Sequence, residues 1–176
     1  KRATMALLFR WLLRIATGLI VLAVAAFALA YYFASRSLPD YTATTTVSGI
    51  TAPVEIVRDN ANVPHIFGAT DADVYFALGY AHAQDRLWQM TMLRRTVQGR
   101  LSELFGMRTL RIDSLMRRFD LYGLAVQSVA AQDDPTKAAL EAYSDGVNAW
   151  LTEVNNESRG RGAPEMWLFN APIAPW

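Results

Sequence analysis

Few residues in this chain could do chemistry, and their spacing limits what that chemistry could be. His65 and His82 are the only two histidines, and there is no cysteine. Disulfides and thiolate metal sites are therefore excluded. His82 and Asp85 stand three apart, a spacing that puts both on one helix face. Such a pair suits metal binding or acid–base work, but a metal shell would need carboxylates from elsewhere. The plainer reading of His82 is a hydrogen-bonded helix histidine. His65 follows Pro64 in a strand-like run and is the other acid–base candidate. Asp85 and Arg86 are adjacent beside apolar surface and read as an ion pair fixing helix packing. Removing half of such a pair is strongly destabilising. Arg94 and Arg95 read either as a solvated face or as arms reaching carboxylates across an interface. Tyr143 and Trp150 read as core. Ser, Thr and Asp residues are present, but none forms a local nucleophile–base pair, and there is no glycine-rich phosphate loop.

The stretch that must position these groups runs from Ala72 to Phe105. Thr70 suits an N-cap, with Asp73 three residues on as a short capping-box partner. Val74, Leu78, Ala81, Leu87, Met90, Leu93 and Val97 recur at helical spacing. Gly106 is placed as the residue just past the helix. The first half, VYFALGYAHA, is apolar nearly all round, which implies burial on most sides. Upstream, 54–57 and 63–67 read as two short strands around the turn 58–62, with Asn62 suited to positive φ. An isolated hairpin is marginal in water, so these strands are expected to join a sheet completed by other polypeptide. Downstream, 108–131 is a further helical pattern with a break at Gly123. Asp133 or Asp134 caps the next helix, 136–155, with Pro135 in its first turn. Leu140, Tyr143, Val147, Trp150 and Leu151 form its apolar stripe. Residues 158–162 read as a loop. The apolar, proline-rich stretch 163–176 reads as the interrupted part of a longer chain.

With 176 residues and a formal net charge of +1, the chain has room for about one domain, and nothing in its charge suggests nucleic acid. Lys1, Arg2, Arg10 and Arg14 precede an uncharged run from Ile15 to Phe33. Counted from Trp11, the run is long enough to span a bilayer core of about 30 Å. Trp11, Tyr31 and Tyr32 sit near its ends as interfacial aromatics do, and the basic N-terminal side places that end in the cytoplasm. A cleaved signal peptide is the rival reading, with Ala28-Leu29-Ala30 as the small-x-small site. The apolar run continues past that site, which favours the anchor. Met5 is a candidate start. The domain reading is 1–34 for the cytoplasmic tip and transmembrane anchor (or signal peptide), 35–52 for a juxtamembrane linker, and 53–176 for a partial globular region.

The segments VEIVRDNANVPHIFGAT, FALGYAHAQDRLWQMTMLRRTVQGRLSELFG and LEAYSDGVNAWL, with the final PEMWLF and APW, resemble the α-chain region of the penicillin acylase (penicillin amidase) family of N-terminal-nucleophile hydrolases. They occur in the family's order. The resemblance implies an α+β enzyme with an αββα sandwich. This part of it would be mostly α-helical with a short β-hairpin, preceded by one transmembrane helix. It implies a precursor that cleaves itself into α and β chains. The N-terminal Ser of the β chain would be the nucleophile, its own amine the base, and the β chain the source of the oxyanion hole. It also implies that the α chain continues past Trp176 into a helix that lines the acyl pocket and supplies a calcium-ligand carboxylate. On this reading no residue here is catalytic, cofactor-binding or metal-binding, and the fragment by itself is inactive. Calcium would be a structural ion of the full enzyme. Gln84-Asp85-Arg86 would hold the helical lobe in shape. Asn62 stands where the family commonly has Gly, and Asn also tolerates a left-handed turn.

The function expected is therefore hydrolysis of an acyl amide of penicillin, cephalosporin or acyl-homoserine-lactone type, a linear amide rather than a peptide. The partner is the β chain of the same precursor. The location is the inner membrane, single-pass, with the catalytic part periplasmic, or the periplasm after signal cleavage. The alternative is a non-catalytic, membrane-anchored helical binding or scaffold module.

Overall fold

The structure, a computed structural model, describes residues 2–36, 38–156, 165, 169, 175 and 176. The expected loop at 158–162 and most of the apolar stretch 163–176 lie outside the described residues. The chain divides into two compact units, Lys1–Leu38 and Pro39–Trp176.

The first unit is one helix, α1 (Arg2–Arg36). Its Ala, Leu and Ile residues favour a helix, and no charge interrupts it between Arg14 and Arg36. The part from Phe9 to Ser35, 27 residues, is long and apolar enough to cross a membrane. At 1.5 Å per residue it measures about 40 Å.

The second unit begins with an extended segment, 40–54, in which Ala43, Thr45 and Val47 are half-buried while Thr42, Thr44 and Thr46 are exposed. This alternation was not expected of a linker: from Asp40 onward the segment packs on the globular unit. Strands β1 (Glu55–Arg58) and β2 (Pro64–Phe67) pair antiparallel, Ile56 opposite Ile66 and Val57 opposite His65. Asn62 adopts φ 61°, as expected. The Asp59 carboxylate supports the turn by accepting from the Ala61 and Val63 amides, each at 2.9 Å. One face of the hairpin carries half-buried Ile56, Arg58 and Ile66, whereas Val57 and Phe67 on the other are exposed.

Helix α2 (Asp71–Val97) starts at Thr70, whose hydroxyl accepts from the Asp73 amide at 3.1 Å. Asp73 does not complete a capping box. Its carboxylate instead accepts from the Thr51 amide (2.7 Å), the Thr51 hydroxyl (2.8 Å) and the Thr70 hydroxyl (2.8 Å). The helix ends at Gln98, before the expected Gly106, because Gly99 turns the chain at φ 63°. A side chain at Gly99 would meet the Asp113 carbonyl and the Arg117 side chain. Short helix α3 (Ser102–Phe105) then ends at Gly106, φ 66°.

The expected helix over 108–131 is two helices, α4 (Leu110–Phe119) and α5 (Leu121–Ala130). The break is at Asp120, in the left-handed region, and not at Gly123. Gly123 has another role: its missing Cβ leaves room for the Asp120 carboxylate that caps its amide. Helix α6 (Asp134–Asn155) is capped by Asp133, which accepts from the Thr136 amide at 3.0 Å.

Helices α2 and α6 form the core. Gly79 and Gly146 let their backbones touch: a Cβ at Gly79 would collide with the Tyr143 carbonyl, and one at Gly146 with the Phe76 carbonyl. Beyond this crossing Ala83 and Leu87 pack against Val147, Trp150, Leu151 and Val154. Leu140 and Leu93, expected in the apolar stripes, are 42% and 60% exposed. Each lies away from the α2–α6 contact.

Candidate functional site

The strongest convergence of polar side chains joins the hairpin, the extended segment and the middle of α2. Strand β1 delivers Arg58 on its inner face, where the side chain is 10% exposed. Its guanidinium donates in two parallel bonds to the Asp85 carboxylate, both 2.9 Å. It also donates to the Gln84 side-chain oxygen and to the Asn62 carbonyl, each at 3.2 Å. The guanidinium lies over the Tyr41 ring, 4.0 Å from its centroid, and the Tyr41 hydroxyl donates to Asp85 at 3.1 Å. Burial, then the neighbouring Asp85 carboxylate, raise the Tyr41 phenol above its ordinary pKa. The planar fork of Arg matches a carboxylate in a way Lys cannot.

This corrects the reading of Asp85 with Arg86. Asp85 belongs to Arg58, and Arg86 donates to Gln89 at 3.2 Å. Adjacent residues on a helix point 100° apart, so they do not face one another. Arg86 also leaves helical geometry, at φ −138° and ψ 25°, and kinks α2. Neither Pro nor Gly stands at the kink, which coincides with the turn that carries the Arg58 lock.

Next to the lock lies a cavity of about 160 Å³. Val47, Ile50, Val54, Ile56 and Phe76 form its apolar wall, with Arg58 and Gln84 at its polar end. Both terminal nitrogens of Arg58 are engaged by these partners, so the arrangement fixes the hairpin against α2.

The other sequence candidates are dispersed. The His82 Nδ1 and the Tyr143 hydroxyl share a hydrogen bond of 3.0 Å across the α2–α6 interface, whereas the Asp85 carboxylate accepts from Arg58 and Tyr41. Burial raises the Tyr143 phenol above its ordinary pKa. His65 lies on the exposed hairpin face, 3.3 Å from Asp59. Of the two arginines left open above, Arg95 is a buried ion-pair partner, donating to Glu103 at 2.8 Å. Arg94 donates to the Pro175 carbonyl at 2.8 Å and covers the Trp176 ring. Sequence reasoning missed Arg58, Tyr41 and the buried Asp113. Asp113 accepts from the Leu101 and Ser102 amides at 2.9 and 2.7 Å. Burial alone would push its pKa up, but the bonds from Ser102 and Leu101 hold it below the ordinary carboxylate value. Among the described residues no group of three His, Asp or Glu side chains could hold a metal ion.

Comparison with known proteins bears on what this scaffold supports. The sequence model of a family described as penicillin amidase matches residues 53–176. The chain is 37% identical over 143 residues to penicillin acylase 2 proenzyme of Pseudomonas sp. SE83, covering 80% of this chain and 17% of that protein. It is 36% identical over 102 residues to penicillin G acylase of Escherichia coli, covering 58% and 12%. It is 38% identical over 115 residues to acyl-homoserine lactone acylase QuiP of Pseudomonas putida KT2440, covering 65% and 14%. The chain thus spans less than a fifth of these relatives. Its structure resembles a solved chain of the thermostable penicillin G acylase of Alcaligenes faecalis, with a TM-score of 0.60 and 29% identity, over 70% of this chain and 65% of that one.

Proposed function

Because the chain belongs to the penicillin amidase family, we propose that it is the N-terminal part of an amidohydrolase precursor that is cut into two chains. The observation that carries this reading is a mismatch of lengths. The matched region is 65% of the solved penicillin G acylase chain but only 12–17% of the curated relatives, one of which is named a proenzyme. A solved chain so much shorter than the relatives is what cleavage of a precursor yields.

The reaction proposed is hydrolysis of an acyl amide. A Ser hydroxyl at the new N-terminus of the downstream chain attacks the carbonyl carbon, the C–N bond breaks, and the amine leaves with the proton. Water then cleaves the acyl-serine ester and regenerates the hydroxyl. The substrate class is a penicillin, cephalosporin or acyl-homoserine-lactone amide, as the relatives' names suggest. In this scheme the present chain is scaffold. The Arg58–Asp85 lock sets the hairpin on α2, leaving the exposed Val57 and Phe67 face for polypeptide from the rest of the precursor. Helix α1 tethers the enzyme to the membrane, supported by its length and composition.

Expression of the complete protein tests this. Two chains on a denaturing gel, a Ser at the N-terminus of the larger one, and release of amine from phenylacetyl-amide or acyl-lactone substrates are expected. Changing that Ser to Ala should abolish release. An uncut, inactive protein would instead favour an anchored scaffold module.

A further inference from the structure

Asn148 sits in the interior of α6, where Asn is a poor helix former because its amide competes for backbone hydrogen bonds. Its side chain is engaged by another part of the chain. The side-chain oxygen accepts from the Trp176 amide at 2.7 Å, and the side-chain nitrogen donates to the Trp176 carbonyl at 3.1 Å. One planar group thus pairs with both backbone groups of a single residue, as a neighbouring strand would. Arg94 of α2 holds the preceding residue, donating to the Pro175 carbonyl at 2.8 Å. Its guanidinium lies 4.9 Å from the centre of the Trp176 ring, and Trp176 packs against the core built by α2 and α6. The contacts reach across 28 residues from α6 and 81 from α2. Residues 175 and 176 are therefore seated by two helices together, not by a local turn.

We propose that Asn148 and Arg94 are positioning residues for the cleavage of the precursor: they fix the path of the polypeptide that follows Trp176 and so bring the point of cleavage into register. The inference rests on the function proposed above, in which the downstream chain carries the nucleophile. Each peptide unit is a rigid plane, and only two soft angles join one plane to the next. The Pro175 carbonyl and the Trp176 amide belong to one plane, and the Trp176 carbonyl belongs to the following one. Arg94 and Asn148 hold the first plane at both ends, and Asn148 holds the second, so the direction in which the backbone leaves Trp176 is set. In a self-cut, the hydroxyl of the downstream Ser attacks the carbonyl carbon of the peptide bond before it. The C–N bond breaks, the nitrogen takes the hydroxyl proton, and water then hydrolyses the ester. A displacement of about 1 Å at the reacting atoms can cost about 100-fold in rate, even when its origin is far from them. Because α2 and α6 each supply one arm, the clamp closes once their crossing has formed, which ties cleavage to completed packing of this unit.

The test follows cleavage of the complete protein after pulse-labelling, counting only soluble, protease-resistant precursor. Asn148→Leu, of similar size but without hydrogen bonds, should slow first-order cleavage roughly tenfold or more. Asn148→Asp keeps the acceptor for the Trp176 amide and loses the donor, so its rate should fall between those of the Leu variant and the parent. It decides the matter if the Leu variant does not fold. Asp73→Asn, which weakens the unit at the opposite end of α2 from Arg94, should be cut at the parental rate once folded. Parental rates in both Asn148 variants, or equal slowing in Asp73→Asn, would overturn the inference and leave the proposed function standing. A parent protein that is never cut would overturn that function, and the inference with it.

Discussion

Arg58 on strand β1 and Asp85 in the middle of α2 meet through two parallel N–H···O bonds of 2.9 Å, across 27 residues of sequence. No other ion pair among the described residues joins the hairpin to a helix. Tyr41, stacked on the guanidinium and donating to the carboxylate, brings the extended segment into the same lock. Asp85→Ala should therefore cost the complete protein about 2 kcal/mol, below the range for fully buried pairs because the side chains are 10% and 21% exposed. Arg58→Lys should recover only part of the pairing. Arg86→Ala should stay within about 0.5 kcal/mol. Urea midpoints and the yield of processed enzyme measure all three. Equal losses at Asp85 and Arg86 would contradict the pairing.

The glycines at the α2–α6 crossing should tolerate no methyl group. Gly79→Ala and Gly146→Ala would each drive a Cβ into a backbone carbonyl, which cannot swing aside as a side chain can. A loss of about 3 kcal/mol or more is expected for each. Gly106→Ala meets no atom but keeps φ 66° and ψ −152°, a conformation that favours glycine, so about 1–3 kcal/mol is expected there. Thermal melting of the three variants gives the ranking, and an Ala at Gly146 that melts like the parent would refute the close approach.

Acid should loosen the second unit through Asp73 and Asp113. The Thr51 amide bond first, then those from the Thr70 and Thr51 hydroxyls, lower the Asp73 pKa. Asp113 is lowered by its amide donors against the opposing effect of burial. A carboxylate whose folded pKa lies below its unfolded value contributes stability above the unfolded value, near pH 4, and loses it as the pH falls through the folded one. Helical circular dichroism should accordingly fall below about pH 4. Asp113→Asn, which turns an NH2 group toward one of the two amides, should lower stability at pH 7 by about 2 kcal/mol and flatten the acid slope. A slope unchanged in that variant would remove Asp113 from the account.

Two residues of one predicted stripe should behave differently. Trp150, 2% exposed and edge-on to Tyr80 at 5.4 Å, should cost about 3–5 kcal/mol when changed to Ala. Leu140, 42% exposed, should cost under about 1 kcal/mol. Chemical denaturation compares them directly, and similar costs would mean that α6 is buried further toward its N-terminus than the fold shows.

Local signals in the sequence carried the elements. Thr70 and the pair Asp133–Asp134 mark helix starts because a capping side chain acts over two or three residues, with the structure choosing Asp133, and Asn62 marks its turn because few residues tolerate positive φ. The apolar run of α1 and the order of the family segments were likewise legible, since both are properties of the chain's one-dimensional order. The partners of charged groups were not. Arg86 is nearer to Asp85 in sequence than Arg58 is, yet helix geometry turns it away while the hairpin brings Arg58 in. The helix breaks followed the same rule. Gly99 adds a break ahead of the one expected at Gly106, and Asp120 replaces Gly123, because the place of a break depends on what the next turn packs against, and only the folded chain brings Asp113 and Arg117 to Gly99.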